Sequence, residues 1–261
     1  MSRNGSTPLK VLLAGESWMK HTVHVKGFDS FATSEYEEGA GAFIAALESE
    51  GVEVTYVRAH EIADRFPAAK AELDLYDTVI LSDIGANSFL LSAATFTRSE
   101  RESNRLSVLA DYVRGGGGLI MVGGYMSFSG IDGKARYKMS PVADVLPVHM
   151  LDFDDRMECP EGVPVTVSDT GHEITRGFPA TWPIVLGYNR VVAKEASTVV
   201  ARCGQDPLLV TGEAGEGRSA AWMTDVAPHW APPEFMEWPY FAALWRAIVA
   251  WVAKVDVAQP A

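Results

Sequence analysis

Glu16, Asp83 and Tyr125 each stand directly after a short apolar run, and His229 follows Asp225 by four positions. Two acids, a phenol and an Asp–His pair are the raw material of proton transfer, because such groups give and take protons when burial and neighbours adjust them. A carboxylate at the end of a buried strand is costly unless it is paired, so Glu16 and Asp83 should each have a partner. Asp83 also has the simpler option of capping a turn with Ser82 and Asn87, since short polar side chains bond nearby backbone. Tyr125 sits in Gly123-Gly124-Tyr125-Met126-Ser127. That frame resembles the turn on which some enzymes carry a nucleophile, yet Tyr stands where Ser or Cys is expected.

A second set of residues suits binding. Trp18 and Trp230 flank the acids and the histidine in sequence, and aromatic faces stack well on sugars or anchor a core. His21 and His24 lie three apart in a polar stretch with Lys26 close by. Without a carboxylate ligand or an HExxH context they read as substrate-binding, and neither a metal site nor a cofactor is expected. Ser127, Lys134 and Arg136 follow Tyr125 and would suit an anionic or polyhydroxylated ligand. The six residues Glu16, Trp18, His24, Asp83, Tyr125 and His229 are expected to converge on one cleft.

The elements that must position them follow from the hydrophobic pattern. Residues 10–16, 52–57, 78–81 and 119–122 are short apolar runs, separated by helical spacing at Ala40, Phe43, Ile44 and Leu47 and at Leu106, Leu109, Ala110 and Val113. Strands alternating with helices imply right-handed crossovers and a mostly parallel sheet, whose carboxyl edge carries the site. Residues 17–34 read as a loop over that edge, longer than an ordinary connection. The second half differs: short β-rich runs at 163–167, 191–192, 198–201 and 208–210 are broken by Gly, Pro and Asp. The expected organisation is one domain over residues 1–261, with an extra β-rich layer at about 147–222 and a closing helix on Phe241, Leu244, Trp245, Ile248 and Val252.

The net charge of −12 over 261 residues argues against nucleic acid and anionic membranes as partners. No apolar run reaches the roughly 18–20 residues of a membrane span, and the first eight residues lack the core of a signal peptide. Two cysteines, Cys159 and Cys203, make neither a disulfide framework nor a zinc spacing. A cytoplasmic protein acting on a small-molecule ligand is the expectation. A homo-oligomer, most simply a dimer, is expected from the aromatic-rich stretch 222–251, which holds more large apolar residues than one helix face buries.

Four segments carry a family likeness: Gly15-Glu16-Ser17-Trp18, residues 82–87 (SDIGAN), residues 116–125 and residues 225–230 (DVAPHW). On these the chain resembles the class I glutamine amidotransferase-like superfamily, and most closely its glutamine amidotransferase-like group. Residues 171–179 (GHEITRGFP) are similar to a segment of the related trehalose-utilisation proteins. The resemblance implies a flavodoxin-like, doubly wound α/β sheet with additional antiparallel strands. It also implies glutamine hydrolysis by an elbow Cys and a C-terminal His-x-Glu pair. Here Tyr125 and Ala231 stand at those places. A phenol with pKa near 10 is a poor substitute for a thiolate. Three readings stay open: binding or processing of a small carbohydrate-like metabolite, a hydrolase or amidotransferase working without a Cys nucleophile, and a catalytically inactive scaffold.

Overall fold

The computed structural model describes residues 8–258 and 260, so all but the last of the eight N-terminal residues read above for a signal core lie outside it. Thirteen strands are present among the described residues: β1 (Leu9–Gly15), β2 (Ser17–Lys26), β3 (Asp29–Glu38), β4 (Val52–Val57), β5 (Thr78–Ser82), β6 (Gly118–Val122), β7 (Val148–Met150), β8 (Arg156–Val167), β9 (Thr181–Asn189), β10 (Val191–Ala193), β11 (Thr198–Cys203), β12 (Asp206–Ala214) and β13 (Gly217–Trp222). Nine of them form one sheet in the order β4-β1-β5-β6-β13-β12-β11-β8-β9. The first five run parallel to one another, and every pairing from β13 onward through β12, β11 and β8 to β9 is antiparallel.

The parallel half has the flavodoxin-like strand order, with the chain reversing direction of travel between β1 and β5. β1, β5 and β6 are almost wholly buried, with patterns such as Val79, Ile80 and Leu81 at 0–1% exposure, because crossover helices cover both faces. The helices Gly41–Ser49 and Phe241–Val252 pack on each other, and Arg105–Arg114 packs with the short helices Lys70–Leu73 and Val142–Val145. Phe43 and Leu47 are the buried positions of the first helix, matching the spacing read from the sequence.

Four features differ from the sequence reading. Residues 17–34 are not a covering loop: β2 and β3 form a two-stranded antiparallel ribbon turning at Gly27-Phe28. The alternation of Met19, His21, Val23 and Val25 with polar residues is the period of a strand, and Gly27 has the positive φ of 65° that a two-residue hairpin turn needs. Five of the strands of residues 147–222 continue the central sheet instead of stacking on it. β9 escaped the sequence reading because Pro183 and Gly187 interrupt its pattern. Finally, the aromatic stretch 222–251 is absorbed by the core: Trp222, Trp230, Trp245 and Phe235 are fully buried, with Trp222–Trp245 and Phe43–Trp245 ring centroids 5.0 and 4.7 Å apart. The argument for an oligomer from those residues therefore falls away.

Candidate functional site

The carboxyl ends of β1, β5 and β6 are neighbours, and each hands the chain to a turn with unusual backbone. Glu16 and Asp83 both adopt left-handed φ, 49° and 41°, a region that few side chains other than Asn, Asp and His occupy readily. Strain of this kind persists only where the surroundings enforce it, and it clusters at functional sites. Close approach makes the turns possible. A Cβ on Gly15 would lie 1.9 Å from the Ser82 carbonyl oxygen, and one on Gly124 would lie 2.7 Å from Asp83 Oδ1. The Glu16 amide donates to that Ser82 carbonyl at 2.9 Å, and the Met126 amide donates to Asp83 Oδ1 at 2.6 Å.

A cavity of about 590 Å³ opens above these turns, lined by Glu16, Trp18, Lys20, Asp83, Tyr125 and His229, with Glu37, Glu38, Asp225 and the 227–228 turn completing it. A smaller hollow of about 310 Å³ surrounds Gly115, Gly116 and Gly117 and contains no histidine. Glu16 is 1% exposed and Asp225 4%. Burial, together with the charges of Asp225 and Asp83, holds the Glu16 carboxyl well above the usual carboxylate range, even though the Ser82 hydroxyl donates to it at 2.5 Å. Burial and Asp225 push Asp83 up to about 6, against the opposing pull of the Met126 amide and His229. Asp225 accepts from the amides of Val226 and Ala227 at 2.7 and 3.1 Å. Its other oxygen lies 3.6 Å from His229 Nδ1, which raises the imidazole above its ordinary value despite partial burial.

Tyr125 meets His229 edge-on, with ring centroids 4.5 Å apart. Its hydroxyl, however, donates to Glu158 Oε1 at 2.8 Å, and the indole of Trp230 donates to the other Glu158 oxygen at 3.0 Å. Burial and Glu158 hold the phenol above its usual value, and Arg156, over the ring at 4.4 Å, only partly opposes this. In this arrangement the phenol is a hydrogen-bond donor to Glu158. β6 is also followed by turns instead of a helix, so the strand-turn-helix setting of a nucleophile elbow is missing. Glu158 and Arg156 were not singled out from sequence. Their signal was the alternate positions they share on one face of β8, a long strand whose start the turn-rich sequence concealed.

The other residues singled out lie elsewhere. His21 and His24 are on the exposed ribbon, where His21 Nδ1 is 2.8 Å from Ser34 Oγ and His24 stacks on Phe31 with centroids 4.5 Å apart; neither lines the cavity. Ser127 is buried and accepts from the Asp83 amide at 3.2 Å, so it shapes the turn under the site. Trp230 is buried behind His229, stacked on it at 5.2 Å. Lys134 pairs with Asp132 at 2.7 Å, and Arg136 borders a separate hollow of about 230 Å³. The cationic binding patch expected from them is not part of this cavity. Neither cysteine lines it, and Cys203, in the core, has its thiol pushed up to about 12 by burial. No group of three or more His, Cys, Asp or Glu among the described residues has the geometry to hold a metal ion.

The sheet has flavodoxin-like order, and its cavity lies at the carboxyl edge, where such α/β folds place their sites. The family model described as "Putative glutamine amidotransferase" matches residues 10–254, and the chain belongs to that family. It is similar to Cytoplasmic Protein STM3548 from Salmonella typhimurium, at 45% identity and a TM-score of 0.91, covering 94% of this chain and 99% of that one. Cytoplasmic Protein STM1381 from Salmonella typhimurium LT2 is similar at 44% identity, with the same TM-score and coverages. A ThuA-like protein from Parabacteroides merdae shares the fold at 14% identity and a TM-score of 0.60, covering 98% of this chain and 93% of that one. No curated protein matches the chain. No helix among the described residues is long and apolar enough to cross a membrane.

The absence of a thiol from the cavity has a direct consequence. An electrophilic glutamine analogue such as a diazo-ketone is expected to leave the protein unlabelled by intact-mass analysis, with no ammonia released from glutamine. An adduct at Cys159 or Cys203 would contradict the placement of the site, and one at Tyr125 would contradict the role of its phenol as a hydrogen-bond donor.

Proposed function

We propose that the cavity binds a small, uncharged, polyhydroxylated metabolite of carbohydrate type and processes it by acid–base chemistry without a covalent thiol intermediate. The observation that carries this reading is the convergence of Glu16, Asp83 and Asp225 with His229 and Trp18 around one cavity. Five carboxylates line it against Lys20 and His229, a balance that repels anions and favours hydroxyl groups, which donate well to carboxylates. Trp18 offers a ring held by its indole donating to Glu37 at 3.1 Å, a surface suited to the apolar face of a sugar. Asp83, with a pKa near 6, exchanges its proton close to neutral pH, the condition for an efficient acid or base. His229, oriented by Asp225, supplies the complementary group. Tyr125 serves as a fixed wall and hydrogen-bond donor. The same reading places the protein in the cytoplasm, in keeping with the names of the Salmonella proteins it resembles.

A calorimetric panel of neutral sugars and polyols, with their phosphorylated counterparts, tests this. At least one neutral compound is expected to bind at millimolar affinity or better, and its phosphate at least tenfold more weakly. Trp18→Ala should weaken binding by about fivefold, the ~1 kcal/mol of an aromatic contact. His229→Ala should weaken it by about 10–100-fold, the range for a hydrogen bond to a charged group. Preference for the phosphates, or indifference to both substitutions, would overturn the proposal.

A further inference from the structure

Among the described residues, the ribbon of β2 and β3 is a long element with an apolar face that the fold leaves uncovered. Met19, Val23 and Val25 are 51%, 65% and 71% exposed, and Phe28 at the tip is completely so. Opposed pairs share a face, so Met19 with Tyr36, Val23 with Ala32, and Val25 with Ser30 lie on one face, interrupted by the polar pair His21–Ser34. The opposite face carries Trp18 with Glu37 and Lys20 with Glu35, and its base lines the cavity. Ten residues per strand give an arm roughly 33 Å long. Among the described residues, neither of its edges pairs with a further strand. An isolated hairpin is marginal in water, and long exposed edges are a pairing hazard that proteins normally manage. The arm is built to lie on something.

We infer that the arm docks on a second copy of this chain, in a two-fold dimer that exchanges both arms. Area favours a copy over a foreign protein. One face of such a ribbon, roughly 33 by 10 Å with its edges, covers about 330 Å² and hides a similar area beneath it. A single docked arm thus buries about 660 Å², the size of a crystal contact, whereas the reciprocal pair buries about 1,300 Å², within the range of a stable interface. Two-fold symmetry supplies that doubling without any new surface.

The chain also has apolar acceptors outside its core: Leu91, Phe96, Met139 and Phe153 are exposed by 45–84%, on segments that follow β5, β6 and β7. Because Trp18 and Lys20 belong to the same strands, docking of the arm would also secure one wall of the cavity.

Sedimentation velocity between 1 and 100 µM tests the inference. The protein is expected to sediment as a dimer at about 10 µM, and Val23→Glu/Val25→Glu as a monomer, with dimerisation at least about 100-fold weaker. Both valines are exposed in the monomer, so far-UV circular dichroism of the double variant should be unchanged. A parent chain that remains monomeric at 100 µM overturns the inference, as does a Val23→Glu/Val25→Glu variant that still dimerises like the parent.

Discussion

Asp83→Asn is expected to stabilise the protein by about 1–3 kcal/mol at pH 8, and by no more than a few tenths of a kcal/mol at pH 4. The folded protein holds the Asp83 proton up to a pH of about 6 against a reference value of 3.8. Between those values the native state binds more protons than the unfolded chain, so stability falls as pH rises, and the full cost is present above about pH 6. At about 1.4 kcal/mol per pH unit, the upper bound is about 3 kcal/mol. Asparagine keeps an oxygen for the Met126 amide and tolerates the left-handed backbone at least as well as aspartate, so little is lost in exchange. Relief of the repulsion between Asp83 and Glu16 acts in the same direction. Urea unfolding at the two pH values measures the difference. A variant destabilised at pH 8, or one whose gain does not depend on pH, would show that the carboxylate is not held under repulsion. A gain in stability accompanied by loss of ligand processing is the pattern of a residue kept for function at a cost to the fold.

Gly15→Ala should have the largest effect in the opposite direction, a loss of about 4 kcal/mol or more. The new methyl would sit 1.9 Å from the Ser82 carbonyl oxygen and 2.8 Å from the Ile84 side chain, at a φ of 108°. The oxygen belongs to the neighbouring buried strand, so no rotamer change relieves the overlap; β1 and β5 must separate or the backbone must refold, which is among the few routes to a loss this large. Separation would also break the contact that brings Ser82 to Glu16. Gly41→Ala is the control: nothing lies within 4 Å of its added Cβ, and in the first turn of a helix the change should be neutral or stabilising by up to about 1 kcal/mol. Chemical denaturation of both variants checks the contrast, and a Gly15→Ala protein as stable as the parent would mean that the two strand ends are not clamped together.

The sequence by itself determined a good deal of the molecule. Its fully apolar runs specify β1, β5 and β6, because a strand buried on both faces has no polar alternate positions. The helical spacing at Phe43 and Leu47 specifies the helix between β1 and β4, and strand–helix alternation forces parallel order with a carboxyl edge where Glu16, Asp83 and Tyr125 come out. What tertiary structure alone decided is everything that depends on distances between segments remote in the chain. The partner of the Tyr125 hydroxyl is Glu158, 33 residues away, and only the placement of β8 makes that phenol a donor. The pKa of Asp83 is raised first by burial and then by Asp225, and the two approach because β6 pairs in parallel with β5 on one side and β13 on the other. Residues 17–34 alternate with a strand's period, yet they carry enough polar residues to pass for a loop. A two-stranded ribbon buries no face of its own in the core, so hydrophobic patterning, which reports burial, says least about the element that reaches furthest into solvent.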